Sequence, residues 1–304
     1  MINMVNQQSF YMPAEWHPHS RTFMAFPVRE IVWPDMNAAR IAYAKVANAI
    51  SEFEPMTMVV RPDLVTEARN LLSSNVEILP LAHDDSWLRD SGPTFVINNN
   101  SAIAGVSWQF NAWGEKYLPF ADDNKLANRL LEHLKIKAFN VDFTLEGGAI
   151  HVDGMGTLIA TEECVLNPNR NKNASKQQVE DMFNQYLGVK KVIWLKNGLV
   201  GDETDGHIDN VACFSSVGHI VMQGTHDTTD ANYKIFQQNL DVLKNATDAQ
   251  GNKLEITVIE QPPVRFFNNE RLSVKFWLGL PARSSSIQVT RLSIARKGAL
   301  ISCD

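Results

Sequence analysis

Apolar residues along the chain follow two spacings that alternate. Stretches with apolar positions three and four apart predict helices, and short runs of β-branched and other apolar residues predict strands. A helix, a strand, a polar loop rich in glycine and a hairpin recur in this order about every 55 to 60 residues, a spacing typical of repeat architectures. Because no unit can bury its own apolar faces and no linker separates the units, we expect an α/β fold in which the units close on one another.

Local signals bound the predicted elements. Pro62 lies in the first turn of one helix, and Ser175 and Gly188 lie at the start and the end of another. Asp153 and Gly154 predict the turn of a hairpin. The predicted helices cover 37–53, 62–74, 122–136, 175–188 and 230–245, the strands 56–60, 76–81, 138–141, 191–195, 210–214, 218–222 and 254–260, and the polar loops 84–93, 145–148, 206–209 and 261–272.

Three of the polar loops carry ionisable side chains at the same point of successive units. These side chains are Asp90 in the first loop, Glu146 in the second, and His207 and Asp209 in the third. Equivalent loops in a ring of repeats face a common centre, so we expect the four side chains to converge. In an extended segment residues two apart share a face, which would aim His207 and Asp209 into one site while Ile208 points into the core.

Several carboxylates in one pocket indicate a cationic ligand, because they repel one another unless a cation lies between them. A planar guanidinium meets this demand, since its paired N–H donors can bind carboxylate oxygens two at a time. His207 beside the guanidinium carbon could carry protons in a hydrolysis. Glu146 would orient this histidine, and Trp87 would provide an apolar wall. The predicted partner is therefore a small cationic guanidine.

Two other interpretations of the His207 loop stay open at this point. A glycine-rich acidic loop with one histidine is often a solvated turn, and Asp90 could simply cap a turn. A metal-dependent hydrolase would use His207 with Asp205, Asp209 or Glu203. The spacing matches neither the His-Glu-x-x-His motif nor the EF-hand calcium loop, and we predict a site without a metal.

Composition and charge narrow the class of partner. The 304 residues are 44% apolar and carry a formal net charge of -6, which fits a globular protein with a cationic ligand. The same charge argues against nucleic acid or an anionic membrane surface as the main partner. Residues 1–8 lack the pattern of a secretory signal, and no run of about 18 apolar residues occurs. We expect a cytoplasmic protein, and a homo-oligomer remains open.

The three cysteines, Cys164, Cys213 and Cys303, are too few and too scattered to form a disulfide framework. Cys164 and Cys213 lie in apolar, strand-like runs, which predicts that they are buried structural residues. Neither is a candidate nucleophile.

Six short motifs together carry a resemblance to a known family. They are MPAEWHPH (12–19), WLRD (87–90), LEGG (145–148), LNPNR (166–170), TDGHID (204–209) and PVRFFN (263–268). In this order they resemble the agmatine deiminases of the bacterial peptidyl-arginine deiminase type, whereas any one alone could arise by chance.

The resemblance implies a five-fold pseudo-symmetric α/β propeller. It also implies hydrolysis of agmatine to N-carbamoylputrescine and ammonia, a step of putrescine biosynthesis, without a metal or organic cofactor. In the family's pattern, the positions of Asp90 and Asp209 hold the guanidinium, and those of His207 and Glu146 serve catalysis. A cysteine near the C-terminus attacks the guanidinium carbon and forms a covalent amidino intermediate. Peptidyl arginine carries the same guanidinium and stays an alternative substrate.

The chain departs from the family after residue 273. The Gly-Gly-Gly-Ile-His-Cys type motif that carries the nucleophile is missing, and Cys303 follows an unrelated sequence. We therefore expect an incomplete propeller over 1–272, an atypical tail without clear strand or helix pattern over 273–304, and no catalytic role for Cys303. Turnover should be absent or impaired, which leaves a guanidine-binding pseudoenzyme as an alternative, and the uncovered faces should make the chain marginally stable or prone to aggregation.

Overall fold

The computed structural model describes residues 10–33 and 35–261 with their side chains, and the strands at 266–267, 270–271 and 290–293 as backbone. The fold is mixed α/β. The strands are β1 (Phe10–Tyr11), β2 (His19–Ala25), β3 (Met56–Val60), β4 (Val76–Pro80), β5 (Thr94–Asn98), β6 (Ile103–Gln109), β7 (Lys137–Thr144), β8 (Ile150–Val152), β9 (Thr157–Thr161), β10 (Lys191–Leu195), β11 (Ala212–Ser216), β12 (His219–Gly224), β13 (Glu255–Glu260), β14 (Phe266–Phe267), β15 (Glu270–Arg271) and β16 (Thr290–Ser293). The helices are α1 (Met36–Ile50), α2 (Val65–Leu71), α3 (Leu88–Ser91), α4 (Ala112–Glu115), α5 (Asp123–Leu134), α6 (Glu162–Val165), α7 (Lys176–Leu187) and α8 (Tyr233–Asn245).

Three sheets share one pattern: an antiparallel hairpin, a crossover that includes a helix, and a strand parallel to the second hairpin strand. These sheets are β5-β6-β7 with β1 beside β5, β8-β9-β10, and β11-β12-β13. A fourth sheet has the order β16-β2-β3-β4, and β14 pairs with β15. The last strand of one sheet therefore leads through a loop into the hairpin of the next. The loops after β4, β7 and β10 are those in which the sequence places the candidate site.

Buried apolar clusters hold the long helices against the sheets. α7 contributes Val179, Phe183 and Leu187, which are four residues apart and lie on one helix face. α5 contributes Leu126 and Leu130 to another cluster, which includes Phe95 of β5. Burial of each such side chain contributes about 1.5–3 kcal/mol of transfer free energy.

Elements with a strong local signal form where the sequence predicts them. β3 and β10 have the predicted bounds. Ser175 and Gln178 form a capping box at the start of α7, and Gly188 ends this helix at a φ of 67°. Gly154, with a φ of 73°, lies in the predicted hairpin turn between β8 and β9.

Several predicted bounds are wrong. α1 ends at Ile50, α8 starts at Tyr233, and α2 is preceded by a 3₁₀ turn and ends at Leu71 because Leu72 is extended. β7 is longer than predicted, and the predicted loop 261–272 contains β14 and β15. The tail was expected to lack strands, but β16 pairs antiparallel with β2. Its partner is more than 260 residues away in sequence, which a local pattern cannot reveal.

The described helices all lie between residues 36 and 245. Within the part of the chain that the structure describes, none of them combines the length and the apolar character that a membrane crossing requires.

Candidate active site

The loops between sheets bring the four predicted ionisable side chains together in a buried group. Asp90, Glu146, His207 and Asp209 are each at most 7% exposed. The Nδ1 atom of His207 is 3.9 Å from Oδ1 of Asp90 and 3.9 Å from Oδ1 of Asp209. Its Nε2 atom is 3.9 Å from Oε2 of Glu146. Side chains up to 119 residues apart in sequence thus surround one imidazole. We call these four residues the cage.

The backbone around His207 differs from the extended segment that we expected. Residues Ile208–Asn210 form a 3₁₀ turn, and β11 starts only at Ala212. Asp205 and Gly206 before it have positive φ angles of 59° and 91°, and the backbone N–H of His207 donates to Oγ1 of Thr204 at 3.2 Å. Ile208 packs in the core, as predicted. The tight turn, rather than a strand, therefore places His207 and Asp209 in one site.

Asp90 is fixed by donors from two other segments. Its Oδ1 atom accepts a hydrogen bond from the backbone N–H of Gly148 at 2.8 Å, and its Oδ2 atom accepts one from the indole N–H of Trp113 at 3.2 Å. Sequence reasoning missed Trp113. The signal that could have found it is the Asn-Ala-Trp-Gly turn, in which the side chain of Asn111 accepts from the backbone N–H of Gly114.

The Trp113 segment has an unusual backbone. All four residues of α4 have positive φ angles, from 51° at Ala112 to 88° at Gly114, so α4 is a left-handed turn. A non-glycine residue rarely adopts this conformation, which persists only when the surroundings impose it. Here Trp113 is buried beside Phe110 and Tyr117 with its N–H on Asp90.

Gly148 is the point of closest approach in the cage. A Cβ atom at this position would lie 2.4 Å from Nδ1 of His207, 2.7 Å from Oδ2 of Asp209 and 2.9 Å from Oδ1 of Asp90. Distances below 3.0 Å do not occur for real Cβ atoms. The Glu-Gly-Gly motif therefore needs glycine at its third position so that the cage can close.

Glu146 is paired with Arg170, the last residue of the LNPNR motif. The Nε atom of Arg170 donates to Oε1 of Glu146 at 2.5 Å, and both side chains are 1% exposed. Arg170 also donates to Oδ2 of Asp205 at 2.7 Å and to the carbonyl of Thr204 at 2.9 Å. This guanidinium ties the Glu146 loop to the His207 loop and gives the motif a structural role that the sequence did not reveal.

Asp209 is the cage residue with free acceptors. Neither of its carboxylate oxygens has a hydrogen-bond partner among the described residues. Burial raises the pKa of Asp209 to about 6, although the nearby His207 and Arg89 act in the opposite direction. The Nε atom of Arg89 lies 3.9 Å from Oδ2 of Asp209, which is beyond hydrogen-bond distance.

Trp87 lies at the start of α3, three residues before Asp90. Its ring stacks on Trp33 with 5.8 Å between the ring centroids, and it packs against the cluster of Phe110, Ala112 and Trp113. Trp87 is thus part of the aromatic surroundings of the site, and its predicted role as an apolar wall stays a prediction.

Two of the residues that we considered for a metal site, Asp205 and Glu203, have other partners. Asp205 pairs with Lys116 and Arg170, and Oε2 of Glu203 accepts from the hydroxyl of Tyr117. At the cage itself, ligand atoms of Glu146, Cys164 and His207 lie within 4.8 Å of one another. Glu146 already neutralises Arg170, however, so a metal at this point would compete with a buried ion pair. We do not assign a metal to the site.

Neither described cysteine lies in surroundings that favour the thiolate. Cys164 and Cys213 are buried as predicted, although Cys164 lies in the short helix α6 rather than in a strand. Burial raises the pKa of Cys164 well above its ordinary value and that of Cys213 to about 12. Cys303 lies outside the described residues.

Comparisons with known proteins point to one family. The profile of the Porphyromonas-type peptidyl-arginine deiminase family matches residues 11–277. An agmatine deiminase of Stutzerimonas stutzeri is 42% identical over 291 residues, which are 93% of this chain and 79% of the relative. A solved structure of the Enterococcus faecalis agmatine deiminase has a TM-score of 0.83 and 35% identity, and covers 92% of this chain and 79% of the other.

A cysteine-to-serine variant of a C. jejuni agmatine deiminase, solved with substrate bound, has a TM-score of 0.79 and 27% identity over 88% of this chain and 78% of the other. The family match covers most of the 304 residues and includes all four cage residues. The chain belongs to the Porphyromonas-type peptidyl-arginine deiminase family.

Proposed function

We propose that this chain is a hydrolase of the agmatine deiminase type, which acts on the guanidinium C–N bond of agmatine. One water is consumed, and N-carbamoylputrescine and ammonia are released. The observation that carries the proposal is the cage: Asp209, without hydrogen-bond partners among the described residues, lies with Asp90 and His207 around one buried point. The agmatine deiminases among the relatives support the choice of substrate.

Asp90 and Asp209 bind the guanidinium in this proposal. Both oxygens of Asp209 are available for the paired N–H groups of the substrate. Each oxygen of Asp90 accepts one protein hydrogen bond and keeps a lone pair for the ligand. The substrate's positive charge would also relieve the repulsion between the two buried carboxylates. Trp87 belongs to the substrate-binding side of the site.

His207 handles the protons. Neither of its ring nitrogens has a hydrogen-bond partner among the described residues, so both are open to substrate or water. The ring first protonates the leaving ammonia and later deprotonates the attacking water. Glu146, held by Arg170 and 3.9 Å from Nε2, orients the ring. No metal and no organic cofactor takes part.

The nucleophile is not among the described cysteines, because Cys164 and Cys213 are buried with raised pKa values. The family resemblance implies a cysteine that forms an amidino intermediate. The Gly-Gly-Gly-Ile-His-Cys type motif does not occur among residues 1–304, so the described residues supply binding and proton transfer but not the nucleophile. A guanidine-binding pseudoenzyme is the alternative, and peptidyl arginine is the alternative substrate.

We also propose the finer architecture: a five-fold pseudo-symmetric α/β propeller over residues 1–272, incomplete in its last repeat, with an atypical tail over 273–304. The three sheets with one hairpin, helix and strand pattern support this arrangement. The protein would act in the cytoplasm on a free small molecule, without binding nucleic acid or membranes, as a monomer or a homo-oligomer.

The test is the release of ammonia and N-carbamoylputrescine from agmatine by the purified 304-residue chain. The Cys303→Ala and His207→Ala variants are assayed beside it. Loss of turnover in both variants would show that Cys303 is the nucleophile after all. Agmatine binding without turnover in soluble folded protein selects the pseudoenzyme. Absence of both turnover and agmatine binding would overturn the proposal.

A further inference from the structure

Arg89 is a buried cation beside the cage that the proposed reaction does not use. Its side chain is 11% exposed, and one terminal nitrogen donates to Oε1 of Glu15 at 2.8 Å. Its Nε atom faces Oδ2 of Asp209 at 3.9 Å and has no hydrogen-bond partner among the described residues. Burial opposes the charge of Arg89, but Glu15 and Asp209 outweigh this effect, and the pKa of the guanidinium is raised.

Two carboxylates therefore compete for one guanidinium. An arginine next to a buried carboxylate ordinarily forms a bidentate pair with it, and such a pair would occupy the oxygens of Asp209. Without any cation nearby, on the other hand, burial would raise the pKa of Asp209 further and favour its protonated form. The observed separation of 3.9 Å lies between these two extremes, since it preserves the attraction and leaves the acceptors free.

We propose that Glu15 and Arg89 form a positioning pair, in which Glu15 holds Arg89 at a distance that keeps Asp209 ionised but not hydrogen-bonded. The guanidinium of the substrate can then take both oxygens of Asp209. This inference rests on the proposed function in that the ligand is a guanidinium. It assigns a role to two residues, Glu15 of the MPAEWHPH motif and Arg89 of the WLRD motif, that act through Asp209.

Close packing restricts the backbone around Arg89. A change of its ion-pair partner would therefore be a movement of the side chain alone. Leu88 is fully buried in the core, and a Cβ atom on Gly147 would lie 2.1 Å from the carbonyl oxygen of Arg89. The carbonyl of Glu15 accepts from Nε2 of His19 at 2.9 Å.

The charged groups that act on this pair come from several segments of the chain. The charges of His207, Arg89, Asp90 and Asp202 act on the carboxylate of Asp209. The charges of Glu15, Asp209 and Asp90 act on the guanidinium of Arg89. Among the described residues, the titratable side chains of His151 and Cys213 also interact with both Glu15 and Arg89. Since Arg89 is the cation common to Asp209 and Glu15, replacing Glu15 should free it to move onto Asp209.

Two readouts test the pair. The first is the pKa of Asp209 in the ligand-free 304-residue chain, from NMR of carboxyl-labelled aspartate, with Asp209→Asn identifying the resonance. The second is agmatine affinity by calorimetry between pH 5.5 and 8.5. Both are measured for the unaltered chain and for Arg89→Met, Glu15→Gln and the double variant, which leaves neither Arg89 nor Glu15 as an unpaired charge.

For Arg89→Met we expect a higher pKa of Asp209 and a loss of agmatine affinity near pH 6, about fivefold for the first pKa unit gained and about tenfold for each further unit. The loss disappears at pH 8.5, where Asp209 is ionised. For Glu15→Gln we expect a lower pKa of Asp209 and a loss of affinity at every pH, because Arg89 then competes with the substrate. The double variant behaves like Arg89→Met, since in this proposal Glu15 acts on Asp209 only through Arg89.

An unchanged pKa of Asp209 in Arg89→Met would overturn the inference, and so would affinity losses that add up in the double variant. If the pKa values shift as expected while the unaltered chain does not bind agmatine, the positioning pair stands and the proposed function fails.

Discussion

At the scale of single residues, Gly148 tests whether the cage has the tight geometry described. We expect Gly148→Ala to lower agmatine affinity at least about tenfold and stability by about 1–3 kcal/mol, because the new Cβ would lie within 3 Å of three cage residues. Calorimetry and urea unfolding measure the two effects. Gly251→Ala is the matched control: Gly251 has a φ of 89° and open space around it, so this variant should lose stability and keep its affinity. Equal affinity in both variants would contradict the geometry.

Asp209 gives a stability effect whose size depends on pH. Its pKa is about 6 in the folded protein, against about 3.9 in an unfolded chain. Because the folded-state pKa is the higher one, the contribution of Asp209 to stability is fully present below about pH 4 and is lost as the pH rises through 6. Asp209→Asn should therefore be more stable than the unaltered chain at pH 7.5, by up to about 3 kcal/mol.

Urea unfolding at pH 4, 6 and 7.5 checks this expectation. Asp227→Asn is the control with the opposite sign, because hydrogen bonds from Thr229 lower the pKa of Asp227, and its loss should destabilise the protein at pH 7.5. A stability difference for Asp209→Asn that does not vary with pH would refute the assignment of a desolvated carboxylate.

The sequence predicted which residues meet but not what holds them. Asp90, Glu146 and His207 stand out because ionisable groups recur at equivalent points of successive units. Trp113 and Arg170 do not stand out, since an indole or an arginine inside a polar loop has no pattern of its own. Their roles depend on contacts with loops more than 20 residues away.

At the scale of elements, α7 tests how much a helix cap encoded in the local sequence contributes to the free energy of unfolding. Its capping box satisfies backbone donors that the first helical turn leaves open. We expect Ser175→Ala to lower the free energy of unfolding by about 1 kcal/mol and to leave agmatine affinity unchanged. Urea unfolding measures the loss, with Gln177→Ala, an exposed change in the same first turn, as the control. An effect no larger than that of the control would mean that tertiary packing alone places the helix.

The elements that the sequence predicted well are those with signals inside their own residues. Ser175, Gly188 and the apolar run of β10 each act locally, and the corresponding bounds are correct. The sequence predicts an extended segment at 207–209, whereas Ile208–Asn210 form a 3₁₀ turn after the positive φ angles of Asp205 and Gly206, which no periodic pattern indicates. β16 was missed because its pairing with β2 joins distant parts of the chain.

At the scale of the whole molecule, β13 bears on the expectation of aggregation, because it forms an edge of the β11-β12-β13 sheet among the described strands. All six of its residues are half-buried or exposed within the described part of the chain, and Val258 is 37% exposed. Such strands pair readily with other chains. We expect the 304-residue chain to melt without a sharp transition and to aggregate on heating. Light scattering and circular dichroism follow both processes, and a sharp, cooperative melt of a soluble monomer would contradict the expectation.

The central claim is that the cage recognises a guanidinium, and the most direct test is calorimetry of agmatine and putrescine binding at pH 7.5. Putrescine has the same four-carbon chain but an amine in place of the guanidinium. We predict that agmatine binds to one site, that putrescine neither binds nor competes at equal concentration, and that Asp90→Asn loses agmatine binding. Equal binding of the two compounds, or agmatine binding that survives in Asp90→Asn, would contradict the account.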